Sequence, residues 1–233
     1  MKPLLFVLLL GLSLGLRAQE PTGDISQECY LALGKEQLLQ AFLYTEQEQT
    51  SYLKTVEDCL YESKTLQAVF DDFISTLLLS MQQNPSLQED LSDLTVKLLH
   101  LNAAAGFAPS QHNFAAIHNS DPNSQISIVP QDYPTFMFWT RKAASQGEPR
   151  SLFNLAMRYA FGVPEINLIK DSAMAYKLLI VIDDMNKEFS GGLESIMPYV
   201  EKYKTEIETE LGTDQAMDIS EQAKLFDIST LDD

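Results

Sequence analysis

Three sets of residues have types and spacings that could do chemistry. Ser51-Tyr52-Leu53-Lys54 places a lysine one helical turn beyond a serine. That is the Ser-x-x-Lys spacing in which an amine activates a hydroxyl in serine β-lactamases and penicillin-binding proteins. The companion Ser-Asp-Asn and Lys-Thr-Gly motifs are missing from the chain, so the tetrapeptide reads as a solvated helix face. The histidines are His100, His112 and His118; the last two are six apart and do not share a helix face. A metal needs several ligands at defined spacing, so the expectation is no metal and no cofactor. Carboxylates cluster at Asp71-Asp72, at Asp183-Asp184 and around Glu206, Glu208 and Glu210. Paired acids hydrolyse glycosides only where their surroundings push their pKa values apart. Charged helix faces account for them more simply, and no catalytic residue is assigned.

The two cysteines, Cys29 and Cys59, fall on apolar stripes of helical pattern. Ile25, Cys29 and Leu33 share one stripe; Tyr52, Val56, Cys59 and Leu60 share another. Two helices packed through these stripes would bring the sulfurs together, and a disulfide is expected. The N-terminus implies the compartment. Lys2 precedes an apolar run, Leu4 to Leu16, and Arg17-Ala18 precede a polar turn. A basic start, a short apolar run and a small residue make a secretory signal peptide, with cleavage expected after Ala18. The run is too short for a span, which needs about 20 residues. The protein is expected to be periplasmic or secreted, where cysteine pairs oxidise.

Composition limits the partners. The chain has 16 basic and 33 acidic residues, a formal net charge of -17, and loss of the leader removes two further positive charges. Such a surface repels phosphate backbones, so nucleic acid is excluded as a partner. Hydrophobic residues make up 45% of the chain, enough for a packed core.

Almost every segment reads as helix. Residues 24–47 suggest one or two helices with a break at Gly34, and Ser51 to Ser63 another. Thr65 to Gln83 is apolar on one side through Leu66, Val69, Phe70, Phe73, Leu77 and Met81. Asn84-Pro85 breaks it. Ser86 to Ala105 follows, with Leu87, Leu91, Leu94, Leu98 and Leu101 inward. Gly192 to Leu211 and Ala216 to Phe226 read as capping helices before an acidic tail. The aromatics Tyr133, Phe136, Phe138 and Trp139 cannot all point inward, so one or two should be exposed.

The middle of the chain repeats itself. Gly106, Ser110, Asn113, Phe114 and Ala115 recur 41 residues later as Gly147, Ser151, Asn154, Leu155 and Ala156. Asp132 to Ala144 lies over Asp171 to Asp183 at an offset of 39. Gly147, Ser151, Leu155, Ala156, Tyr159 and Gly162 resemble the first half of a Sel-one-like repeat, a relative of the tetratricopeptide repeat. Trp139, Ala143 and Ala144 are similar to its second half. In the earlier copy His118 stands for the Tyr and Asp121 for the closing Gly. Small residues let helices approach, Leu155 and Tyr159 fill a hairpin, and Gly162 suits a positive φ. Asp132 and Asp171 suit helix capping.

The resemblance implies an all-α, right-handed superhelix of antiparallel helix pairs. The chain then divides into a leader (1–18), an N-terminal helical region (24–101), repeats (102–144 and 143–183) and C-terminal capping helices with an acidic tail (184–233). It implies an adaptor without catalysis, binding a protein or peptide in the cell envelope. The candidate partner-binding face is Asn113, Arg150, Asn154 and Arg158, because Asn can bond a peptide backbone and Arg a carboxylate. The alternatives are a cell-envelope hydrolase or penicillin-binding protein of the cysteine-rich type, and a structural or regulatory subunit of an envelope complex.

Overall fold

Short polar side chains cap the starts of several helices. The computed structural model describes residues 26–119, 128–188 and 193–232. The signal-peptide reading of 1–18 lies outside these, as do Ile25, Asp121 and Gly192. The described residues hold eleven α-helices and no β-strand. They fall into two units, 1–107 and 108–233.

The first unit contains α1 (Gln27–Ala32), α2 (Lys35–Ala41), α3 (Glu46–Glu62), α4 (Lys64–Gln83) and α5 (Gln88–Ala104). Gly34 separates α1 from α2 as expected and serves as the N-cap of α2. The third helix starts five residues earlier than Ser51. Thr45 and Glu48 form a capping box there: each side chain takes the other's backbone N–H. That reciprocal closure satisfies two otherwise orphaned donors. Ser63 ends α3 and caps α4 through Leu66 N–H, so two long helices meet at one residue.

One expected core position is displaced. Val69 was expected inward on α4 but is 58% exposed. The buried stripe also includes Gln67 and Ile74, which turns its centre away from Val69. Gln67 lies buried because its amide donates to Leu60 O at 2.8 Å and Ala105 O at 3.0 Å. Asn102 Nδ2 in turn donates to Gln67 O at 3.0 Å. These bonds tie α3, α4 and the end of α5 together.

Cys29 and Cys59 form the expected disulfide between α1 and α3, with Cα atoms 5.3 Å apart. Short helices such as α1 are marginal alone. Tyr52, buried on the same face of α3, donates its hydroxyl to Ala32 O at 2.9 Å. Its pKa is raised by burial. Lys54, the lysine of the Ser-x-x-Lys tetrapeptide, donates to Glu57 and Asp58 at 3.2 and 2.8 Å. Those bonds raise its pKa and hold it charged, the opposite of what a general base needs.

The second unit is a stack of helix pairs: α6 (Ala108–His118) with α7 (Tyr133–Ser145), α8 (Pro149–Phe161) with α9 (Ser172–Glu188), and α10 (Met197–Leu211) with α11 (Thr213–Ala223). Asp132 caps α7 by accepting from Thr135 N–H, and Asp171 accepts from Met174 N–H at 2.9 Å. The core runs through all three pairs, with Phe136, Leu152, Leu155, Ala156, Leu179 and Ile182 fully buried. The dense aromatics separate as expected. Phe136 is buried, Tyr133 and Trp139 are half-buried, and Phe138 is exposed. α10 begins at Met197 rather than near Gly192, because Leu193 to Ile196 form a turn and Pro198 suits the first helical residues. The residues after α11 do not trail as an acidic tail. Ile228–Asp232 forms a 3-10 turn against α7, with Leu231 buried and Lys142 bonded to Asp232 at 3.1 Å.

Two outcomes follow for the first unit, read by urea unfolding. Replacing both cysteines by serine frees a crosslink of sequence separation 30, and should cost about 3–4 kcal/mol. Thr45→Ala should cost about 1 kcal/mol.

Candidate partner-binding face

The repeat seen in the sequence reappears as a repeated set of backbone bonds. Gly106 N–H donates to Ala103 O and Phe107 N–H to Asn102 O. Exactly 41 residues on would be Gly147 to Ala144 and Glu148 to Ala143, and both bonds are present. Each glycine carries a positive φ, 97° and 82°. These are the two bonds of a Schellman helix ending, which favours glycine there. Ser110 and Ser151 are both fully buried, as are Ala115 and Ala156; Phe114 and Leu155 are buried at the third shared position. The hairpin turns also correspond. Asp132 N–H donates to His118 O at 2.9 Å, and Asp171 N–H to Tyr159 O at 2.7 Å. His118 in place of Tyr therefore keeps the same closure, although the two connectors differ in length.

Gly162 closes the second copy at φ 72°. A Cβ there would stand 2.9 Å from Leu168 O and 3.2 Å from Lys170 N. The loop it admits is pinned by two bonds between Val163 and Leu168.

Consecutive first helices, α6 and α8, meet through a buried polar group. His112 Nδ1 lies 2.9 Å from the Ser151 hydroxyl and 3.5 Å from Glu148 Oε2. Glu148 caps α8 by accepting from Ser151 N–H at 2.7 Å and binds Arg150 Nε at 2.7 Å. The three residue types are those of a Ser-His-acid relay, but the geometry is not. A relay places serine and acid on opposite ring nitrogens; here both face Nδ1, and Ser151 has no exposed surface. Burial pushes the His112 pKa down to about 4; Glu148 opposes that shift and Arg150 adds to it. The ring is neutral at neutral pH.

The four candidate face residues divide. Arg158 Nη2 donates to Asn119 Oδ1 at 2.6 Å, and its guanidinium lies 5.0 Å from the Phe136 ring centre and 5.9 Å from that of Tyr133. It braces the end of α6 and the start of α7. Arg150 is exposed but bonded to Glu148, and Asn113 and Asn154 are half-buried. By helical spacing, Arg150 and Asn154 share the outer face of α8 with Phe153, Met157 and Phe161.

That aromatic stripe is the feature sequence reasoning missed. Phe153, Met157 and Phe161 recur every four residues along α8, and Tyr199 and Tyr203 do so along α10. The Phe153 ring centre is 6.4 Å from Tyr199 and 6.2 Å from Tyr203, and Phe161 is 6.0 Å from Tyr203. Phe161 is 67% exposed and Tyr199 57%. The signal was present as the i, i+4, i+8 spacing on α8. It was obscured because Leu155, Ala156 and Tyr159 already filled the family pattern on the same helix.

No protein-family model matches the chain, and no curated protein matches it. A solved structure that resembles it is a protective antigen present in uropathogenic Escherichia coli strains, displaying an SLR (Sel-one-like repeat) fold. The two share 16% identity over 88% of this chain and 47% of that one, with a TM-score of 0.50. At this identity the likeness concerns the fold alone. The present chain spans about half the length of that neighbour. Among the described residues no cluster of His, Cys, Asp and Glu is placed to hold a metal, and no helix is long and apolar enough to cross a membrane.

The buried histidine makes the second unit acid-sensitive. Unfolded His112 takes its proton near pH 6.5 and the folded residue only near pH 4. Between these values the unfolded chain binds more protons, so this contribution is complete above pH 6.5 and is lost as pH falls towards 4. The loss by pH 4.5 is about 2–3 kcal/mol. Fluorescence of the single tryptophan, Trp139, reads it, and His112→Gln should flatten that limb. Gly162→Ala should destabilise the same unit by more than about 1 kcal/mol, because both the positive φ and the Leu168 carbonyl oppose a Cβ.

Proposed function

We propose that the protein is an exported helical-repeat scaffold that binds a protein or peptide partner in the cell envelope. The binding surface is the face formed by α8 and α10, the first helices of the last two pairs. The observation that carries this reading is the aromatic stripe. Its outer members, Phe161 and Tyr199, are more than half exposed, whereas the core beneath is already filled by Leu152, Leu155 and Ala156. Clustered exposed aromatics mark interaction surfaces. Stacked helix pairs present such surfaces because neighbouring pairs place equivalent helices side by side.

Export is supported by the leader-like N-terminus and by the disulfide, which persists in oxidising compartments. Adaptor behaviour without catalysis is supported by the resemblance to Sel-one-like repeats. It is also supported by the engagement of the chemically suggestive groups in structural bonds: Lys54 with two carboxylates, and Ser151 with His112 in the interior.

Site-specific crosslinking tests the face. A photoreactive phenylalanine at position 161 or 199 should trap a discrete protein in the producing cells. The same group at Met217, equally exposed on α11, should not. Crosslinks from position 217 alone, or from none of the three, would contradict the assignment.

A further inference from the structure

We infer that the partner segment is a cationic amphipathic peptide, in which arginine or lysine side chains stack on the tyrosines while apolar side chains pack against Phe161. The inference rests on the proposed binding face and concerns the chemistry of what lies there.

The stripe already holds a cation. Lys202 Nζ lies 4.8 Å from the centre of the Tyr203 ring. An ammonium over a tyrosine face is attracted by the ring's quadrupole, and a guanidinium more often takes that place. The chain thus displays on itself the contact that a partner would make.

The charge around the stripe has the matching sign. By helical spacing, Tyr199, Tyr203, Glu206 and Glu210 lie along one line of α10. The aromatic run therefore continues into two carboxylates: Glu210 is engaged by Lys170 at 2.7 Å and by Ser172 at 2.8 Å, and Glu206 stands exposed. Four glutamates stand on α10 against two lysines, and those two lysines offset Glu206 little. Lys204 is drawn away to Asp183 on α9. Lys202 reaches Glu206 only at 3.9 Å, with both side chains more than half exposed, a pairing that contributes little. Glu165, exposed just beyond Phe161, adds another carboxylate. Arg150, on the same face of α8, is neutralised by Glu148.

An anionic partner would place its charges against this excess. A purely apolar one would leave Glu206 unused and the rings without their preferred ligand. A cationic amphipathic segment satisfies both, and steering by the chain's net charge of -17 would speed its arrival.

The test uses the full-length chain and a displayed library of random 12-residue peptides. Selection should enrich sequences that combine arginine or lysine with leucine or an aromatic. A synthetic peptide of the leading sequence should lose about tenfold or more in affinity against Phe161→Ala or Tyr199→Ala. It should lose about threefold or more against Glu206→Lys, and its binding should weaken with added salt. Met217→Ala should bind it like the parent chain. Enriched sequences that are neutral or acidic, yet still depend on Phe161, would overturn the cationic assignment and leave the binding face in place. If the parent chain enriched nothing beyond the Phe161→Ala/Tyr199→Ala double variant, both the assignment and the face would fall.

Discussion

Two first helices of successive repeats can lie side by side only where the groups between them are small or fully satisfied. At α6 and α8 both conditions meet at one point. Ser151 is small enough to let the helices close, and its hydroxyl and backbone N–H are taken by His112 and Glu148. An unpartnered buried carboxylate or imidazole would cost several kcal/mol. Bonded to one another, the three groups fix which turn of α6 faces which turn of α8. The register set there passes outward, because Glu148 also starts α8 and so aims every later side chain on that helix.

The same position does a different job in the next repeat. Phe153 stands 41 residues after His112. His112 reaches the first helix of the following pair through polar contacts in the interior. Phe153 reaches it through two tyrosine rings, their centres 6.4 and 6.2 Å away, an ordinary separation for rings in contact. The contact is polar between α6 and α8 and aromatic between α8 and α10.

Much of the fold was legible because its signals are local. The Gly106/Gly147 endings, the Asp132 and Asp171 caps and the paired small residues are each set by a few neighbouring side chains, and the structure realises all of them. The disulfide was legible because Cys29 and Cys59 each sat on an apolar stripe. What escaped the sequence depends on contacts between distant residues. The pairing of His112 with Glu148 and Ser151 needed the α6–α8 register. The burial of Gln67 needed the carbonyls of Leu60 and Ala105. The docking of Leu231 against α7 needed a reversal of the chain after α11. The Thr45–Glu48 box is the exception: it was local and readable, and apolar spacing beginning near Tyr52 drew attention past it. Arg150 and Asn154 lie on the same helix as Phe153, Met157 and Phe161, whose four-residue spacing was readable in the sequence but not their contact with Tyr199 and Tyr203, which needed the α8–α10 register.

On the proposed face recognition falls to the outer sides of α8 and α10, and α7, α9 and α11 serve packing. The most direct measurement is amide and side-chain NMR of the full-length chain during titration with a saturating bound peptide. The largest shifts should fall on Phe153, Met157, Phe161, Tyr199 and Tyr203, with the His112 ring and the Trp139 indole little changed. Shifts centred on α11 or on the Ile228–Asp232 turn, with the α8 and α10 aromatics unmoved, would contradict it.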